Sequence, residues 1–163
     1  ERPRPSFLQR KPARVHLMQL RMDDVRARIE ERVPAIRRFG NAADFASVVE
    51  HNRLPTTTPV AYVLFAGMIG GQASASAGMF IQNVGEGVAV ILADRITGDP
   101  LGDKALRDIS PLVGEVIEAV CGWAPDDAIG VFELRSAELV GAKDGALIFQ
   151  LEFTLNDQLR ITT

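Results

Sequence analysis

Apolar residues follow two rhythms along this chain. In "MDDVRARIEERVP", Val25, Ile29 and Val33 recur at four-residue spacing with arginines and glutamates between them. That places one apolar face on a helix, with Asp23 or Asp24 able to cap its start and Pro34 ending it. "AIRRFG" then reads as a short strand or turn. "NAADFASVVEHNRLP" predicts a second helix, with Asn41 as N-cap, Asp44 three residues on, and Phe45, Val48 and Val49 as its buried stripe. "DPLGDKALRDISPLVGEVIEAVCGWAP" predicts the longest helix, buried along Ala105/Leu106, Ile109, Leu112/Val113, Val116/Ile117 and Val120. Pro111 should kink or restart it, with Ser110 as the new cap. Gly122 suits a left-handed helix end, with Trp123 folding back as its apolar partner.

The strand rhythm occupies the rest. Val60 to Phe65 is a near-continuous apolar run, as in a central strand. Val88, Val90 and Leu92 alternate with Ala89, Ile91 and Ala93, and Gly85 and Gly87 mark a bulge or bend before them. Leu147, Phe149, Leu151 and Phe153 alternate in the second strand of a closing hairpin that turns at Asp144-Gly145. Between two strands lies "GMIGGQASASAGMFIQ", residues 67–82, which reads as a glycine-rich, mobile loop at the tip of a long hairpin. The predicted fold is α+β, a mostly antiparallel sheet with helices packed on one face and one long hairpin.

The chain of 163 residues fits one domain, and its 47% apolar content supports a core. No apolar run is long enough to cross a bilayer, and no secretory signal pattern is expected at the polar, proline-broken start. A single cysteine, Cys121, allows no internal disulfide. The net charge of −3 is uneven: residues 1–21 carry six basic side chains and one acid, leaving −8 on the remainder. Residues 1–20 therefore read as a basic, extended arm, and residues 21–163 as a single domain. Arg2, Arg4, Arg10, Lys11 and Arg14 are candidate contacts with an acidic surface, such as another subunit.

Candidate chemistry is sparse. "GMIGG" lacks the Lys-Ser/Thr of a phosphate loop and precedes a strand, whereas phosphate cradles draw on a helix N-terminus. Cys121 lies beside the apolar stripe of the long helix with no histidine near it in sequence. His16 and His51 are too far apart in sequence to suggest a zinc site. His51 suits a helix C-terminus, and Asp126-Asp127 reads as a solvated turn. Arg37-Arg38 reads as a strand end or an intersubunit ion pair. These patterns argue for no catalytic site, no metal and no cofactor.

Three segments together are similar to the tail terminator family of tailed bacteriophages, in its Mu-like and prophage branch. They are "VRARIEERVPAIRRFGNAADFASVVEHNRLPTTTPVAYVLF", "GDPLGDKALRDISPLVGEVIEAVCGWAP" and "DGALIFQLEF". Their order and spacing carry the resemblance across about residues 22–155. The basic arm and Pro111 fall outside it. The resemblance implies a homo-hexameric ring on the last ring of the tail tube protein. Such a ring stops tube polymerisation and offers a surface to the head–tail connector or stopper protein. DNA passes through the lumen without sequence readout, and there is no catalysis. The implied location is the virion tail or neck, assembled in the bacterial host cytoplasm without a membrane.

On this expectation residues 67–79 meet a neighbouring subunit or the tube. Met68, Ile69 and Met79 would make apolar contacts, and Gln72, Ser74 and Ser76 polar ones. Another neck protein, a head–tail joining or tail-completion protein of a phage or gene-transfer agent, fits the same features. A small enzyme with a phosphate ligand on the glycine loop, and a generic protein-binding module, are the readings from other classes.

Overall fold

The computed structural model describes residues 20–95, 103–143 and 145–162. Helix α1 (Met22–Arg32) leads into the short strand β1 (Arg38–Gly40), then helix α2 (Ala42–His51). Strands β2 (Val60–Ser76) and β3 (Met79–Arg95) form a long hairpin. Helix α3 (Asp103–Val120) follows, and strands β4 (Phe132–Lys143) and β5 (Ala146–Thr162) close the chain. The five strands form one mixed sheet in the order β1-β2-β3-β5-β4. Only the β1–β2 pair is parallel; the other three are antiparallel.

The alternation predicted for β3 is the one observed, and it sorts the sheet into two faces. On the first, Ala61, Val63, Val88, Val90, Leu92, Leu151, Phe153 and Leu155 pack against α1 and α3 in the main core. On the second, Val60, Tyr62, Ile91 and Ala93 pack against α2 through Phe45 and Val48. The expectation that all helices share one face is therefore corrected. The apolar run of β2 is buried on both sides where it begins, and a sheet apolar on both sides needs cover on both. The same two-sided burial explains why this run reads as a central strand. Only Val60 to Tyr62 has a neighbour on each side, because β1 is three residues long.

Local signals were obeyed unevenly. Asn41 caps α2 as expected: its side chain accepts the Asp44 N–H at 2.9 Å, and the Asp44 carboxylate accepts the Asn41 N–H at 3.0 Å. Val49 is 65% exposed rather than part of the buried stripe, because α2 lies over β1 and β2 at the sheet's edge and no other described helix lies beyond it. Helix α1 has no side-chain cap at its start; Asp23 and Asp24 sit in its first turn instead. Helix α3 runs through Pro111 as one element, with Pro111 on its exposed side. Leu106 is 43% exposed, whereas Ile109, Leu112, Val116 and Val120 form the buried face.

The end of α3 differs from a simple fold-back. Gly122 has the expected positive φ of 75°, but its N–H donates to the Phe132 carbonyl at 2.9 Å. The Phe132 N–H donates to the Trp123 carbonyl at 2.8 Å. Trp123 stacks on Phe132 with ring centres 5.8 Å apart. Arg28 of α1 lies over the same indole and donates to the Ala119 carbonyl at 3.0 Å, tying α1 to the last turn of α3. Cys121 is half-buried against the main core.

Replacing Asn41 by Ala removes the side-chain half of the α2 capping box and should cost about 1 kcal/mol of unfolding free energy. Urea denaturation of the two proteins measures it. An unchanged midpoint would mean that α2 is held by its packing on the sheet through Phe45 and Val48 and not by its cap.

Candidate assembly interface

Strand length sets this region. β2, β3 and β5 each run 17 residues, about 55 Å at the usual rise. Helix α1 has 11 residues and α3 has 18, about 16 and 27 Å. The strands outrun the helices. Neither core cluster includes a residue between positions 65 and 87. The segment expected to be a mobile glycine-rich loop is in fact strand. Residues 67–76 continue β2, and the turn is the two residues Ala77-Gly78, with φ of 51° and 77°. Two successive positive φ values are the geometry of a tight hairpin turn.

The extension is three-stranded. β5 follows β3 to the tip, pairing Met79 with Thr162, Phe80 with Ile161 and Gln82 with Leu159. A third strand gives the hairpin a lateral partner that two strands alone would lack. The irregularities anticipated near Gly85 and Gly87 fall on the partner strand, where β2 shifts register between Phe65 and Gly67 and between Gly70 and Ala73. β3 stays regular throughout its pairing with β5.

Register separates the six candidate contact residues. Ile69, Ser74, Ser76 and Met79 pair within or opposite positions Gly85, Ile81 and Met79. They therefore share the face opposite α1 and α3. Met68 pairs with Glu86 on the helix face, and Gln72 falls within a register shift. Ile69 is 69% exposed; Gln72, Ser74, Ser76 and Met79 are exposed and Met68 is half-buried. The structure thus brings four of the six together and puts Met68 on the other side. From Leu54 to Gly85 the chain carries no charged side chain, so the projecting β2–β3 hairpin is uncharged; β5 adds Asp157 and Arg160 beside it. Arg2, Arg4, Arg10, Lys11 and Arg14 lie outside the described residues.

The root of the extension holds a group that sequence reasoning missed. Glu86 is buried, and its carboxylate accepts the Arg21 backbone N–H at 2.7 Å. The Arg21 guanidinium reaches Asp127 at 2.8 Å, Asp24 at 3.3 Å and Asp157 at 3.7 Å. Asp127, read as a solvated turn, is an ion-pair partner. This bears on the missing cap of α1: Asp24 of its first turn and the Arg21 N–H before it already have partners. The only sequence signal for this cluster is the lone Glu86 between two glycines in a β run. Arg37 and Arg38 are exposed, and His51 Nδ1 lies 3.0 Å from the Ser47 carbonyl. Among the described residues no three His, Cys, Asp or Glu side chains could hold a metal ion.

Burial pushes the Glu86 carboxyl above the usual carboxylate range, opposed by the Arg21 N–H and charge and aided by Asp157 and Asp24. The folded chain therefore binds this proton more tightly than the unfolded chain. Its stabilising contribution is full below the ordinary glutamate pKa of about 4.3 and is lost as pH rises through the raised folded value. Glu86→Gln keeps an acceptor for the Arg21 N–H but has no proton to lose. The fall in stability from acid towards neutral pH should shrink in this variant, as read by urea midpoints across that window. Equal slopes in the two proteins would show that Glu86 does not carry the effect. Arg21→Ala should cost about 2 kcal/mol at neutral pH, because it strips charged hydrogen bonds from a mostly buried site.

The family model described as "Phage tail terminator protein" matches residues 16–163. The match starts at His16, within the segment read as an arm, and so extends the resemblance at both ends. No curated protein matches the chain. No helix among the described residues is long and apolar enough to cross a membrane. With a match over nearly the whole chain, joined to an α+β sheet that carries a long projecting hairpin, the protein belongs to the phage tail terminator family and is a structural component of a phage tail.

Proposed function

We propose that the chain assembles into a closed homo-hexameric ring. The ring seats on the last ring of a tail tube, ends its growth and turns its other side to the head connector or stopper. The observation that carries this reading is the three-stranded extension, whose β2–β3 hairpin is uncharged from Gly67 to Gly85 and exposes Ile69, Ser74, Ser76 and Met79 on one face. A terminator needs a head-to-tail contact that closes, and a separate surface that recognises a tube end. Projecting strands supply backbone donors and acceptors for such contacts, and alternate side chains supply selectivity.

In this reading Ile69 and Met79 make the apolar contacts of one face and Met68 those of the other, with Gln72, Ser74 and Ser76 as polar partners. Arg2, Arg4, Arg10, Lys11 and Arg14 engage the acidic body of a neighbour, to which the net −8 outside residues 1–21 is complementary. The same negative charge keeps a passing DNA duplex from adhering to the lumen. The protein performs no chemistry and needs no cofactor. It joins the neck of a phage or gene-transfer-agent particle assembled in the host cytoplasm.

The test is light scattering across concentration, with negative-stain images of the largest species, followed by addition to growing tail tubes. Six-fold rings, free or on tube ends, and arrest of tube length are the expected results. Ile69→Asp combined with Met79→Asp should raise the concentration needed for arrest at least tenfold. Both side chains are exposed, so the melting curve should not move. Tubes that keep lengthening under saturating protein, while the protein binds the head connector, would assign it to head–tail joining instead.

A further inference from the structure

The sheet has two open edges, and they match. β1 covers the outer edge of β2 only from Val60 to Tyr62, so from Val63 to Ser76 that edge has no strand partner among the described residues. β4 is the opposite edge, and no described strand lies beyond it. We infer that β2 of one copy pairs with β4 of the next, continuing the sheet from subunit to subunit. This inference rests on the ring reading above and names the contact that builds the ring.

Three observations carry it. The first is direction. β2, β3, β5 and β4 alternate through three antiparallel pairings, so β2 and β4 run opposite ways in one chain. In a cyclic ring every copy points the same way along the axis. The junction between β4 of one copy and β2 of its neighbour is then antiparallel, like the ladders on either side. An odd number of long strands would have forced a parallel junction.

The second is the face. Phe65 pairs with Val88, Leu134 with Phe153 and Leu139 with Phe149, which places all three on the side of α1 and α3. They are 42%, 39% and 46% exposed, although that side is the main core elsewhere. Cyclic symmetry keeps like faces together. A β2–β4 junction therefore lays Leu134 and Leu139 beside Phe65 and Met68, at the groove that Met22 and Phe65 line next to α1. Two apolar rows at opposite margins of one monomer become one continuous row.

The third is charge. The β2 edge carries no charged side chain, so it presents nothing to repel Glu133 and Glu138 on β4. Exposed edges are commonly protected by charges or proline. The β2 edge from Val63 to Ser76 has neither, which suits a strand that is covered in its working state. Pairing of β2 with β2 in a two-fold dimer would leave the β4 row in water.

The experiment uses the full chain with Cys121→Ala, so that introduced thiols are the only ones. Met68→Cys and Ala137→Cys sit near the middle of the two edges, on the same face. A bismaleimide reaching about 10 Å, roughly two strand spacings, is added to the assembled protein and the products are separated under denaturing conditions. The chain carrying both cysteines should give a ladder ending at the ring size. A mixture of the two single variants should give only dimers containing one of each. Rings by microscopy without cross-edge products would overturn this inference and leave the ring reading standing. Dimers from Met68→Cys alone would overturn it in favour of β2–β2 pairing. No assembly on any template would overturn both. As an independent check, Leu139→Lys should weaken assembly at least tenfold with an unchanged melting curve, since its side chain is already exposed in the monomer. Assembly at the parent concentration would count against the junction.

Discussion

The structure depends on a mismatch of length. Three strands run about twice as far as the longest helix can cover. Where helices lie over the sheet, apolar side chains alternate onto two buried faces and form the core. Beyond Glu86 neither core cluster has a member on β2 or β3, and the ladder is held by backbone pairing, the buried Val84 and half-buried side chains such as Phe80. A sheet half inside a domain and half outside it has a folded body and a surface built for contact. Both come from the same strands, so the position of the outer half is set by the packing of the inner half.

The boundary between the two halves is where the polar network sits. Glu86 lies on the helix face just beyond Val88, the outermost β3 residue of the main core, and Arg21 meets it just as the chain enters α1. Through Arg21 the start of the helix, the Asp127 turn after α3 and Asp157 of β5 are tied to one place. Burying a carboxylate there costs solvation that one N–H and one guanidinium only partly offset. Such a cluster restricts how the extension can swing against the helices. It also brings Arg21, next to the first described residue, to the root of the hairpin.

Much of this was legible from residue patterns. The helix faces of α1 and α3 follow from spacing, since a period near 3.6 admits one buried stripe. The Asn41–Asp44 cap is a local interaction three residues long and needs nothing from the rest of the fold. The alternation along β3 and β5 appears directly in Val88–Leu92 and Leu147–Phe153. The glycine-rich stretch was misread because small residues have weak strand propensity and no periodic apolar signal. What makes residues 67–76 a strand is the β3 ladder beside them, itself braced by β5. Val49 was misjudged for the opposite reason: it has the right period but lies where no other described element covers it.

Sequence by itself determined the three helices, the strand runs within the core, their alternating faces, and, through the order and spacing of three segments, the family. These are properties of single segments, set by periodicity, capping and local turn chemistry. The tertiary structure decided which elements share a face, which strand edge stays open, and which distant charges meet. Sheet order, the placement of α2 opposite α1 and α3, and the Arg21–Glu86 contact across 65 positions depend on contacts between segments. No local period encodes them, because a strand's alternation says that it has two faces but not what will lie against either one.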